Sequence, residues 1–76
     1  MERQMTNPII LDVTLAMASN RKVNGKPAVK AEIYEENGIF TAKITDCWGA
    51  EYVSGSNNRD YQAELMVLKS MFDPVT

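Results

Sequence analysis

Residues Ala28–Asp46 are AVKAEIYEENGIFTAKITD, and the pairing they imply sets the architecture of the whole chain. Asn37-Gly38 stands between two alternating runs, and a two-residue type I′ turn requires positive φ at both central positions, which Asn and Gly tolerate best. Val29, Ala31 and Ile33 alternate with Lys30, Glu32 and Tyr34; on the return, Phe40, Ala42 and Ile44 alternate with Thr41, Lys43 and Thr45. A period of two on both sides of such a turn predicts an antiparallel hairpin with one apolar and one polar face. On the polar face Lys30, Glu32 and Lys43 fall as neighbours of opposite sign, each pair contributing about 0.2–1 kcal/mol. An isolated hairpin is marginal in water, so its apolar face needs a cover from elsewhere in the chain.

The cover lies downstream, in Gly55–Phe72, GSNNRDYQAELMVLKSMF. Tyr61, Leu65, Leu68 and Phe72 recur at i, i+4, i+7 and i+11 and draw one apolar stripe along a helix. Asn57 is the expected N-cap, with Asp60 at the third helical position where a carboxylate favours the helix dipole. Asp73-Pro74 is the stop, because a residue before proline is pushed out of the helical region. Between hairpin and helix, Cys47-Trp48-Gly49 breaks the alternation. Glu51-Tyr52-Val53 then reads as a short further strand or an extension past a bulge.

Upstream, Ile9, Leu11, Val13, Leu15 and Met17 alternate with smaller or more polar residues, which predicts a strand over 9–18 with its odd positions in the core. The rival reading is a helix with Asn7 as cap and Pro8 at its first position. Residues 19–27, SNRKVNGKP, form a polar connection with Asn24-Gly25 as a turn signal, and residues 1–7 are polar and expected to fray. The expected architecture is α+β, one small domain over 1–76. A three-stranded antiparallel sheet, with room for a short fourth strand, is packed by one C-terminal helix in the order β-β-β-α.

At 76 residues and 45% hydrophobic, the chain is globular in composition but small. It buries only about 60% of its unfolded surface, so self-association, a homodimer for instance, would help it. The net charge of −2 argues against a dedicated nucleic-acid binder. The chain has one cysteine, Cys47, and no histidine, which removes an internal disulfide, the usual general base and the usual zinc ligand together. The apolar run at 9–18 is interrupted by Asp12 and preceded by Glu2, which argues against a secretory leader, and no run is long enough to span a bilayer. A cytoplasmic protein without cofactor or membrane association is the expectation.

Three sets of residues are candidates for function. Trp48 and Tyr52, with Tyr34 and Met66, are candidate partner-binding residues, since aromatics and methionine anchor protein contacts; the other reading of Trp48 is that it closes the core edge. Arg21, Lys22, Lys26 and Lys30 lie in a segment free of acids and could bind phosphates. Asp12 and Glu64 could pair as hard oxygen ligands for a divalent ion, although alternation sends Asp12 to the sheet face away from the helix.

The β-β-β-α order, with Asn57-Asn58-Arg59 and Ala63-Glu64-Leu65 at the head of the helix, resembles the first half of the ribonuclease H-like fold. That resemblance implies a metal pair at Asp12 and Glu64 in a remnant of a metal-dependent nuclease. The layout of residues 37–72, a hairpin, a Gly49 loop, Gly55 and then a helix, is similar to HicB-type antitoxins, which implies a non-catalytic protein that binds a partner. Double-stranded-RNA-binding domains resemble the chain more weakly, through a three-stranded sheet leading into a helix. The reading that size, acidity and missing catalytic side chains favour is a small non-catalytic binding protein. It would be an inhibitor or antitoxin-like, of the kind carried by phages and mobile elements, and would act through protein contact rather than as an enzyme. Nucleic-acid binding through 21–30 and the nuclease remnant are the alternatives.

Overall fold

Both Asn-Gly pairs close hairpins. Asn37 and Gly38 have φ of 57° and 78°, and Asn24 and Gly25 have 53° and 80°, the left-handed values a type I′ turn requires. The computed structural model describes residues 9–18 and 20–74; the expected fraying of residues 1–7 lies outside them. In chain order the elements are β1 (Ile9–Asp12), α1 (Thr14–Met17), β2 (Lys22–Val23), β3 (Lys26–Glu36), β4 (Ile39–Asp46), β5 (Glu51–Val53) and α2 (Tyr61–Met71). The fold is α+β, an antiparallel sheet with a C-terminal helix. The strand order is β1-β3-β4-β5, with β2 paired to the start of β3.

The hairpin β3–β4 is the spine. Its register runs from Glu36 opposite Ile39 to Lys30 opposite Thr45, and slips between Lys30 and Ala28. That bulge turns Val29 outward to solvent, although plain alternation would place it on the core face beside Ala31 and Ile33. Beyond it, Ala31, Ile33, Ala42 and Ile44 are fully buried under α2. Leu68 and Phe72 of the helical stripe are buried with them, and Tyr61 and Leu65 pack at the margin. On the opposite face Glu32 lies between Lys30 at 3.4 Å and Lys43 at 3.6 Å, the expected charge neighbours. The fourth strand is present as β5, with Tyr52 opposite Ile44.

The first segment departs from the expected strand over 9–18. The strand stops at Asp12, whose carboxylate accepts the Thr14 N–H at 2.9 Å and turns the chain. The carbonyl of Val13 then accepts from Ala16 and Met17 to open α1, and the Thr14 hydroxyl takes the Ala31 N–H at 3.0 Å in place of a strand carbonyl. Met17 and Ala18 are buried in the core, whereas Ile9, Leu11 and Leu15 remain exposed, because α2 lies over β4 and does not extend over β1. The helix-start reading at Asn7-Pro8 fails too, since Ile9–Asp12 is strand.

Helix α2 starts later than Asn57 would place it. Asp60 is the N-cap and accepts from the Gln62 N–H, while Phe40 N–H donates to the Asn58 carbonyl at 2.8 Å. Asn58 is thus held in a bridge against β4 and cannot take helical dihedrals. The helix ends at Met71, and Phe72 is already extended.

Candidate functional site

The loop between β4 and β5 is tied by one carboxylate. Asp46, buried, accepts the Trp48 N–H at 2.8 Å and the Ala50 N–H at 2.9 Å on one oxygen, and the Tyr52 hydroxyl at 2.9 Å on the other. Burial pushes the Asp46 carboxyl up, but these three hydrogen bonds and nearby Lys26 outweigh it and hold the group below its ordinary value. Gly49, at φ 88°, lets the turn close, and its N–H donates to the Asp46 carbonyl at 3.0 Å.

Trp48 rides on this tied turn and is 80% exposed. It therefore does not close the core edge, the alternative its position allowed. The Lys26 ammonium lies 5.0 Å from the centre of its ring, and Cys47 beside it is exposed. Tyr52 is half-buried and also lines a surface cavity of about 520 Å³ with Val23, Asn24, Met71 and Asp73. Asp73 shapes the far wall. Its two oxygens accept from the N–H groups of Asn24 at 2.9 Å and Gly25 at 2.7 Å, fixing the β2–β3 turn to the end of α2. The other two partner-binding candidates lie elsewhere. Met66 is exposed on α2, and Tyr34 is half-buried on the sheet face away from the helix, opposite Ile10 and Thr41.

The basic candidates divide. Arg21 lies with its guanidinium 4.7 Å from the centre of the Phe72 ring, Lys30 pairs with Glu32, and Lys26 stacks on Trp48. Lys22 is exposed, and its carbonyl accepts from the Asp73 N–H. Three of the four cations thus lie against groups of the protein itself.

Glu64 is the most completely bonded side chain near the head of α2. Beside the apolar stripe of α2, it is fully buried. Its Oε2 accepts from the Ala42 N–H at 2.8 Å and the Ser54 hydroxyl at 2.6 Å; its Oε1 accepts from the Ser56 hydroxyl at 2.7 Å and the Asn58 amide at 2.8 Å. Burial raises its carboxyl and the four donors more than reverse this, leaving it below its ordinary value. A carboxylate has about four acceptor sites, and all are used. Asp12 stands on β1 opposite Glu32, on the sheet face away from α2, where hydrogen bonding by Thr14 holds its carboxyl low. With β3 between β1 and β4, the fold does not bring Asp12 and Glu64 together. Among the described residues no group of three or more His, Cys, Asp or Glu is placed to hold a metal ion. Two signals for the Glu64 site are present in the sequence: position 64 borders the apolar stripe, three residues after Tyr61 and four before Leu68, and Ser54, Ser56 and Asn58 alternate just before it.

Among the described residues no helix is long and apolar enough to cross a membrane. No family model matches the chain, and no curated protein or solved structure matches it either.

Proposed function

We propose that the chain is a small non-catalytic binding protein that docks a protein partner at the β4–β5 tip, as an inhibitor or antitoxin would. The observation that carries this reading is the exposure of Trp48 on a turn whose backbone is already fixed by Asp46. A large aromatic held outside the core on a pre-set loop costs little conformational entropy when a partner closes over it. The neighbouring cavity below Tyr52, with Val23 and Met71 in its walls, would receive an apolar side chain of that partner. Cys47 has no histidine to activate it and carries no chemistry in this reading.

The test compares the wild-type chain with Trp48→Ala as bait in a host lysate, followed by titration of each purified captured protein against both. The expected result is a captured protein whose affinity falls at least about tenfold with Trp48→Ala, a typical loss for a central aromatic anchor. Capture of nothing, or equal capture by both chains, overturns the reading. A second reading has one observation in its favour, the Lys26–Trp48 stack, since aromatics beside cations also bind single-stranded nucleic acid. It requires salt-dependent binding that is lost on charge reversal of Lys22 and Lys26.

A further inference from the structure

The edge of the sheet at β1 presents a different surface. Ile9, Ile10 and Leu11 are 58%, 59% and 40% exposed, and among the described residues no strand pairs with their outer edge. Ile9 and Leu11 stand opposite Glu35 and Ile33, on the face that carries α2; Ile10 stands opposite Tyr34 on the other face. Apolar side chains are therefore open on both faces at once. A helix or a chain laid across the sheet would cover only one face, whereas a strand continuing the sheet covers both and also satisfies the free backbone groups. The Val13 N–H donates to the Ala31 carbonyl. By the two-residue alternation of a strand, the N–H groups of Ile9 and Leu11 also face β3, and that of Ile10 faces outward.

We propose that the chain self-associates through β1, which pairs antiparallel with β1 of a second copy across a two-fold axis at Ile10. A second copy is the occupant because the strand is complementary to itself in this register alone among the simple ones. Ile10 faces Ile10 of the second copy and Ile9 faces its Leu11, so every aliphatic side chain meets another. Asp12 is the one charge in the strand. The register keeps the two Asp12 carboxylates roughly 13 Å apart at about 3.4 Å per residue, whereas a parallel pairing would set them side by side. No lysine, proline or bulge, three of the devices that block edge pairing, occurs within Ile9–Asp12. The two-fold stands perpendicular to the sheet, so both α2 helices lie on one side. They flank a trough floored by Ile9 and Leu11 of each copy, and Leu15, 92% exposed on α1, lies just beyond this strand. The pairing is independent of the Trp48 tip.

Sedimentation equilibrium and multi-angle light scattering from micromolar to millimolar protein test it. The wild type should move from monomer to dimer, and the Ile10 amide should exchange with deuterium more slowly as concentration rises. Ile10→Pro removes the outward donor, and Ile10→Lys sets two ammonium groups against each other on the axis. Each should weaken dimerisation at least tenfold with far-UV circular dichroism unchanged. If Ile10→Pro does not fold, Ile10→Lys carries the comparison, since this side chain points to solvent in the single chain. Val29→Lys, at an exposed aliphatic on β3, and Trp48→Ala should both dimerise like the wild type. A wild type that stays monomeric throughout, a dimer that Ile10→Lys leaves intact, or one that Val29→Lys abolishes overturns the proposal.

Discussion

Glu64 shows how much one side chain can organise. It does the work of a missing strand residue, taking the Ala42 N–H of β4 directly, and gathers two hydroxyls and an amide from the 54–58 segment. Glu64→Gln keeps the volume but replaces an oxygen by a donor, leaving at least one buried donor without a partner. The expected loss is about 1–3 kcal/mol in urea unfolding at neutral pH. Its pH dependence has a definite sign. Because the folded carboxyl sits below its ordinary value, its stabilisation is complete above about pH 4.5 and is lost as pH falls through the folded value. The wild type should therefore lose stability steadily below that point, and Glu64→Gln should show a shallower acid slope. Asp46 and Asp12, depressed in the same direction, account for the slope that remains. Equal slopes for the two proteins would show that Glu64 does not titrate in this way.

At the scale of elements, the turns are strict and the packing is concentrated. Gly38 at φ 78° has open space where a Cβ would go, so the cost of Gly38→Ala comes from the backbone alone and is expected at about 1–2 kcal/mol. Chemical denaturation of that variant checks it. Leu68, fully buried in α2 against β4, is expected to cost about 2–5 kcal/mol as Leu68→Ala. The β3–β4 hairpin and the stripe of α2 are legible because alternation, an Asn-Gly turn and a helical period all agree over 30–46 and 61–72, whereas the bulge that turns Val29 outward leaves no mark in the alternation. The first segment is not legible, because Asp12-Val13-Thr14 satisfies two readings. Its odd positions are apolar, but Asp12 and Thr14 carry side chains that bond to the backbone and end the strand. Asn57 likewise reads as a cap because nothing local records that Asn58 bridges to Phe40, eighteen positions earlier and outside any window of neighbours. Glu64 was visible as an acid bordering an apolar stripe; its partners come from two separate parts of the chain, Ala42 of β4 and the 54–58 segment, which spacing alone does not join.

For the whole molecule, a chain of this size has a total stability of roughly 4–11 kcal/mol. Loss of Leu68 therefore removes a large share of it, and Leu68→Ala should lower Tm by more than about 10 °C in a calorimetric or circular-dichroism melt. A Tm within a few degrees of wild type would mean that α2 is not the main cover of the sheet. The β2–β3 turn region is also tied to the residues that follow α2. Arg21 stacks on Phe72, the Asp73 N–H donates to the Lys22 carbonyl, and Asp73 holds the Asn24-Gly25 turn. Asp73→Ala should accordingly loosen the β2–β3 turn as well as the end of α2, read as faster amide exchange at both Asn24 and Gly25. Unchanged exchange there would leave Asp73 as a surface acid only.

The exposed position of Trp48 has an optical consequence. It is the single tryptophan of the chain, and its indole already meets water in the folded state, so its emission maximum should hardly move on unfolding. Intrinsic fluorescence would then be nearly silent as a folding signal, yet any molecule that closes over the tip would shift the emission to shorter wavelength. The protein carries its own dye at the place where docking is proposed.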